Sequence, residues 1–303
     1  MRFSIILPTF NRGSTYLKYA VESVIKQEFK DWELIIIDNN STDNTIDLVE
    51  SYNCEKITIH NINNDGIIAK SRNLGIENAS GDFIAFLDSD DYWYPNKLKV
   101  CNDIIVSNKV NLVCHGEKWE VDVNKSVMKK YGPKERFIFE NMYNSGTSAV
   151  SSSAIVINKD LILKVGMFNI SPEIITSEDY DLWLKISNID HDIYFTEEIL
   201  GVFRIHESSE SSDVQKNSLS TELVLRNHYD QNSHNNKLNR NLALSNLWST
   251  SAKTLQIRGL YLESLKFYIK SLKKRFSIKV LFFIFTLFIP HKVLKFLYYN
   301  YRY

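Results

Sequence analysis

Four short runs of almost unbroken apolar residues, each followed at once by polar or charged ones, constrain this chain more than any other feature. They are "FSIIL" (3–7), "ELIIID" (33–38), the weaker "KITIH" (56–60) and "FIAFLD" (83–88). Continuous rather than alternating apolarity in pieces this short marks strands covered on both faces. Helical spacing fills the gaps. Leu17, Ala20, Val21, Val24 and Ile25 recur within 16–27, Ser/Thr/Asp capping chemistry opens 42–52, and 67–79 follows Gly66. This rhythm predicts parallel βαβ units with right-handed crossovers, and such sheets bind ligands beyond the carboxyl ends of their strands.

The polar clusters fall at those ends: "PTFNR" (8–12), "DNNSTDN" (38–44), "NINNDG" (61–66) and "DSDD" (88–91). Four clusters at four equivalent ends imply one crevice. Beyond Asp91 the pattern loosens. A helix is expected over 95–107, a strand over 111–113, then loop and insertion up to Ser145. Next come a strand over 152–157, a capped helix over 177–187 and a last strand over 201–206, with mainly helices from Asp213. "HESSESSD" (206–213) reads as a boundary or loop, giving domains 1–212 and 213–303.

Charge and cysteine content remove several classes. Lys+Arg and Asp+Glu are 36 each, so no overall imbalance points to nucleic acid. From Tyr261 to Tyr303, however, nine Lys or Arg face one acid, Glu263, which makes a basic tail on an acidic body. Cys54, Cys101 and Cys114 form no C-x-x-C pair, so neither a disulfide framework nor a structural zinc site is indicated, and a reducing compartment is expected. The apolar stretch 3–7 is too short for a signal peptide, and a cytoplasmic body is expected.

Asp88 and Asp90 are separated by one residue, so in an extended turn both can share a hard divalent cation, Mg²⁺ or Mn²⁺. The other reading is that Asp90 or Asp91 caps the helix beginning near Pro95. Neither a G-x-G-x-x-G fingerprint nor a G-x-x-x-x-G-K-[ST] loop is present, which removes dehydrogenase and P-loop chemistry. Glu178 and Asp179 open a helix after Ser177, where acids serve the helix dipole or supply a base to a reacting hydroxyl. His206 is either a hydrogen-bonded structural residue or a metal ligand. Arg12 and Arg72 are either surface charges or contacts for a nucleotide diphosphate.

Taken in order, "SIILPTFNR", "IIIDNNSTDNT", "SRNLGIENASGDFIAFLDSDD", "SEDYDLWLK" and "FRIHESS" resemble the inverting glycosyltransferases of family 2. The resemblance implies an α/β chain of the GT-A fold, a doubly wound, mostly parallel nucleotide-binding sheet, with a C-terminal helical extension. It implies a UDP-sugar donor bound with Mn²⁺ or Mg²⁺. Pro8, Thr9, Asn11 and Arg12 would line the nucleotide, Asp38 would meet the uracil, and Asp65 with Arg72 would complete that pocket. Asp88 would touch ribose or sugar, with Ser89 beside it, while Asp90 and His206 would hold the metal. Asp179 would take the acceptor proton and Glu178 would help position the acceptor or that base.

"VLFFIFTLFI" (280–289) is ten residues long, short of the ~20 that a spanning helix needs. With its basic flanks it reads as a segment of an anionic membrane interface, covering roughly the last turns of the chain from 270 to 303, or as a helix packed on the body or in a dimer seam. Family habit and this tail together suggest a lipid-linked, undecaprenyl-diphosphate saccharide as acceptor. The setting would be O-antigen or capsule assembly, peripheral on the inner face of the cell membrane. Two rivals are a sugar nucleotidyltransferase, for which "LPTFNRG" offers only Gly13, and a non-catalytic sugar-nucleotide-binding module.

Overall fold

The computed structural model describes residues 1–122, 125–132, 139–148, 150–190, 193–206, 213–289 and 293. The chain divides into two units. The first holds Met1–Phe137, Ala149–Pro172 and Lys185–His206, and the second holds Ile138–Ser148, Glu173–Leu184 and Glu207–Tyr303. Of the boundary loop expected over 206–213, residues 207–212 lie outside the described residues, as does the tail beyond Ile289 apart from Val293.

The first unit opens with β1 (Phe3–Thr9), α1 (Leu17–Ile25), β2 (Trp32–Asp38), α2 (Thr45–Glu50), β3 (Ile57–Asn61), α3 (Ile68–Asn78) and β4 (Phe83–Phe86). These are the four apolar runs and three helices read from the sequence. β2 and β4 flank β1 and β3 flanks β2, all parallel, and the register sets Thr9 level with Asp38 and Asp38 level with Asn61. Three of the polar clusters therefore start at one height. Every residue of β1 is buried because helices cover both faces, and Leu17, Ala20, Val21 and Val24 of α1 share a core with Ile5, Leu7, Leu34 and Ile36. On the α3 side, a methyl added to Gly75 would meet Ile6 of β1 at 2.4 Å, so only glycine lets the helix lie this close to the strand.

The rest of this unit departs from a purely parallel design. It adds β5 (Tyr92–Trp93), α4 (Lys97–Asn108), β6 (Leu112–Asp122), β7 (Lys125–Lys129), β8 (Ile155–Asn158), α6 (Lys159–Lys164) and β9 (Ile193–Arg204), with α5 (Phe139–Ser145) and the start of α7 (Glu178–Ile189) falling in the second unit. Among the described residues the sheet has nine strands in the order β3-β2-β1-β4-β8-β6-β9-β5, with β7 on β6. β8 runs antiparallel between β4 and β6, whereas β9 is parallel to β6 and antiparallel to β5. The short strand expected over 111–113 is in fact the start of the eleven-residue β6, and part of the expected loop is its hairpin with β7. Backbone pairing to β7 and β9 holds this polar stretch extended where apolar runs are lacking.

The second unit is helical: α8 (Val214–Gln231), α9 (Arg240–Ile257), α10 (Tyr261–Lys274) and α11 (Ile278–Phe285) join α5 and the first turns of α7. Asp213, Asn239 and Ser277 each accept a first-turn amide, capping α8, α9 and α11. Trp248, Ala252 and Leu255 of α9 pack with Phe267 and Tyr268 of α10 and Val280 of α11. No helix of the described residues is long and apolar enough to cross a membrane.

Candidate active site

The carboxyl ends of β1 and β2 are laced into one surface. Asp38 is fully buried and accepts from the amide and hydroxyl of Ser41. Ser41 accepts in turn from the Asn11 amide, and Asn11 Oδ1 accepts from the Thr42 amide at 2.8 Å. Asn11 holds a left-handed φ of 49°, a conformation that Asn tolerates better than most residues. A methyl on Gly13 would lie 2.5 Å from the Thr45 amide nitrogen, so the two loops touch there backbone to backbone. Pro8 and Thr9 are buried at the strand end, and the Thr9 hydroxyl has no hydrogen-bond partner among the described residues. A buried hydroxyl left in that state costs free energy unless water or a ligand meets it. Arg12 is half-buried, its guanidinium 6.0 Å from the Tyr16 ring centre.

Asp65 and Arg72, read together from the sequence, make different pairs. Exposed Asp65 bonds Lys70 at 2.7 Å. Arg72 lies buried on α3 and donates Nη2 to Asp88 Oδ1 at 2.9 Å, with its guanidinium 5.4 Å from the Phe168 ring centre. The arginine therefore steadies the first acid of the D-x-D turn.

That turn is held from several sides. The Asp91 amide donates to Asp88 O, and the Asp88 amide donates to the Ser153 hydroxyl. Ser89 is buried within the turn. Asp91 accepts from Ser153 Oγ at 2.7 Å and from the Arg204 amide at 3.0 Å. The cap expected of Asp91 is thus corrected: α4 begins at Lys97 behind Asn96, with no side-chain cap, and Asp91 bolts the turn to the end of β9 instead. Burial, and then the charges of Asp90, Glu117 and Asp88, push the Asp91 carboxyl well above the usual carboxylate range.

Arg204 was not singled out in the sequence, although strand alternation puts it on the same side as His206. Its Nη1 donates to Asp90 O at 3.1 Å, and its guanidinium sits 4.5 to 5.2 Å from the ring centres of Tyr16, Tyr19 and Tyr92. His206 Nε2 lies 2.8 Å from Asp90 Oδ2, and its ring stacks on Tyr16 at 5.2 Å between centroids. Asp90 and His206, the two expected metal ligands, therefore converge. Among the described residues no group of three or more His, Cys, Asp or Glu is arranged to hold a metal. One carboxylate and one imidazole form a sparse donor set, which fits an ion that takes its other ligands from phosphate oxygens and water.

Glu178 and Asp179 belong to the second unit. Glu178 and Asp181 are buried, whereas Asp179 is half-buried and its Oδ1 accepts the Tyr180 amide at 2.6 Å. The surrounding turn is pinned: Tyr180 donates its hydroxyl to Met142 O, Asp181 Oδ1 pairs with His228 Nε2 at 2.9 Å, and the hydroxyls of Ser177 and Thr221 bond each other. His228 carried no distinguishing signal in the sequence.

A family model described as "Glycosyl transferase family 2" matches residues 4–166. The chain belongs to glycosyl transferase family 2. This family-2 chain is 30% identical over 183 residues, 60% of its length and 68% of the relative's, to the Escherichia coli protein named UDP-Glc:alpha-D-GlcNAc-diphosphoundecaprenol beta-1,3-glucosyltransferase WfgD. It spans between 64 and 68% of the length of the first three curated relatives it matches. Staphylococcus aureus TarS 1-349 in complex with UDP-GlcNAc superposes with a TM-score of 0.59 at 20% identity, covering 90% of this chain and 89% of that one. The mannosyltransferase PcManGT from Pyrobaculum calidifontis, in complex with GDP-Man and Mn²⁺, gives 0.62 at 14% identity, covering 97% and 83%. These structural likenesses show the fold, a mixed α/β, GT-A-like sheet with C-terminal helices, in agreement with the fold class read from the sequence. Family membership sets aside the sugar nucleotidyltransferase.

Proposed function

We propose that this glycosyltransferase inverts configuration as it moves a sugar from a UDP-sugar to a hydroxyl of an undecaprenyl-diphosphate-linked saccharide, forming a β-linkage in a surface polysaccharide such as O antigen or capsule. The observation that carries the reading is the first turn of α7: within a family-2 chain, it buries Glu178 and Asp181 and leaves Asp179 half-open as the acid able to meet a hydroxyl. The relative's name supplies the acceptor class and the β-linkage, and the UDP-GlcNAc complex of TarS supplies the donor class.

Each residue has a defined task. Pro8, Thr9, Asn11, Arg12 and Asp38 form the floor for the nucleotide, with Asp65 at its edge. Arg72 fixes Asp88 next to Ser89, where the ribose or sugar would lie, and Asp90 and His206 would hold Mn²⁺ or Mg²⁺. Such an ion would supply Lewis-acid stabilisation to the departing diphosphate. Asp179 accepts the proton of the acceptor hydroxyl as that oxygen attacks the anomeric carbon from the face opposite the leaving group, and Glu178 orients the base. A single displacement of this kind inverts the centre. The helical C-terminal region, 213–303, holds the enzyme peripherally at the inner membrane surface, where a lipid-linked acceptor is presented.

The test is metal-dependent UDP release from a panel of UDP-sugars, with and without GlcNAc-diphosphoundecaprenol. Acceptor-stimulated release is expected for at least one donor. Tight UDP binding without turnover on any donor would instead support a non-catalytic binding module.

A further inference from the structure

A cavity of about 450 Å³ lies within the helical unit, between α9 and the turn joining α10 to α11. Three cations line it, Lys253 from α9 and Arg275 and Lys279 from the turn and α11, together with Thr250 and with Ser249, whose hydroxyl donates to Asn246 O. No carboxylate is among the described residues that line it. Lys253 Nζ is placed 3.9 Å from the Phe283 ring centre, and Ser277, also on the wall, caps the amino end of α11, whose dipole adds to the positive field. Clustered cations with no acid among them are the chemistry that binds a phosphate group.

What borders this cavity says where the phosphate comes from. Phe276 lines the cavity and is also 71% exposed. On α11, Ile278, Phe282 and Phe285 follow at i, i+4 and i+7, each between 63 and 77% exposed. The opposite face of the helix is seated: Val280, Phe283 and Ile284 pack on the core of Trp248, Phe267 and Tyr268. A soluble anion gains nothing from an exposed aromatic stripe, whereas a lipid brings its phosphate and its acyl chains to one place. Lys273 and Lys274 end α10 just before the turn, so the apolar stripe is flanked by cations, as at an anionic membrane surface.

We infer that the Lys253, Arg275 and Lys279 cavity is a binding site for the phosphate of a lipid headgroup, with Phe276, Ile278, Phe282 and Phe285 entering the acyl layer beside it. The inference rests on the membrane-surface part of the proposed function and adds a defined headgroup site to it.

The test uses the full chain in vesicle co-sedimentation, with pure phosphatidylcholine, phosphatidylcholine containing phosphatidylglycerol, and inorganic phosphate as a soluble competitor. Circular dichroism checks that each variant folds. The wild type is expected to sediment with anionic vesicles, with inorganic phosphate a poor competitor. Arg275→Ala with Lys279→Ala should lower partitioning by about tenfold or more, whereas Lys273→Ala with Lys274→Ala, which removes equal charge outside the cavity, should lower it markedly less. Phe282→Ser with Phe285→Ser should also release the chain. Equal losses from the two charge pairs overturn the headgroup site while leaving the membrane surface standing. Absence of sedimentation with any vesicle overturns both. Full competition by inorganic phosphate, with the phenylalanine variant unaffected, identifies a free-anion site and overturns the lipid assignment.

Discussion

His206 Nε2 and Asp90 Oδ2 stand 2.8 Å apart, which brings a residue just past β9 onto the D-x-D turn across 116 positions of sequence. In the proposed function this carboxylate and imidazole, held together beside Arg204 and Tyr16, are the ligands of the divalent ion. Asp90→Ala and His206→Ala should each weaken Mn²⁺ binding in the presence of UDP by about tenfold or more, read by calorimetry. Unchanged metal affinity in both variants would reduce the pair to a structural bond.

Two ion pairs near the crevice should differ in worth. Lys70 and Asp65 lie at the surface, with Asp65 62% exposed, so Lys70→Ala should cost less than about 0.5 kcal/mol. Arg72 is 5% exposed against 28% for Asp88, and Arg72→Ala leaves a partly desolvated carboxylate behind. The expected loss is about 2 kcal/mol, below the full cost of a buried pair because Asp88 keeps some solvent. Urea unfolding of the two variants measures the contrast, and UDP affinity should fall only for Arg72→Ala.

Asp91 predicts an asymmetry between two substitutions. Asp91→Ala strands the Ser153 hydroxyl and the Arg204 amide in a buried site, and should cost about 1–3 kcal/mol. Asp91→Asn should cost markedly less, because burial and the neighbouring acids already favour a neutral carboxyl at this position. Equal melting temperatures for the two variants would count against a neutral carboxyl at this position.

Lys97 and Glu117 make stability depend on pH in opposite senses. Burial lowers Lys97 from 10.5 to about 7, and its Nζ lies 3.1 Å from the Trp93 ring centre without a hydrogen-bond partner among the described residues. Between those pH values the unfolded chain holds a proton that the folded chain has released, so this group makes stability rise with pH from about 7 upward. Burial raises Glu117 from 4.5 to about 7, so the folded chain holds the extra proton and stability falls across that window. Lys97→Met should abolish the alkaline rise and increase the melting temperature at neutral pH by about 3 °C or more. Glu117→Gln should flatten the acidic fall. Thermal scans across pH read both slopes.

The strands and helices up to β4 were legible because strands covered on both faces must be continuously apolar, and "FSIIL" and "ELIIID" are. β6 was legible only at its start, since it reaches Asp122 through His115, Glu117 and Lys118, held extended by pairing that a local pattern does not reveal. The acids of the site were legible as residue types, but their partners were not. Ser153 lies 62 residues from Asp91 and the Arg204 amide 113, so the turn's bolts exist only once the sheet has formed. The exposed stripe of α11 was half legible: its apolar, basic character is local, whereas the seating of Val280 and Phe283 needs α9 and α10.

The most direct measurement is transfer of labelled sugar from a UDP-sugar to GlcNAc-diphosphoundecaprenol by the wild type and by Asp179→Asn, with UDP affinity determined on both. Acceptor-dependent, β-linked product from the wild type is expected, with a loss of about 100-fold or more in kcat for Asp179→Asn and UDP binding little changed. Near-normal turnover by Asp179→Asn, or an α-linked product from the wild type, would contradict the assignment of Asp179 as the base of an inverting transfer.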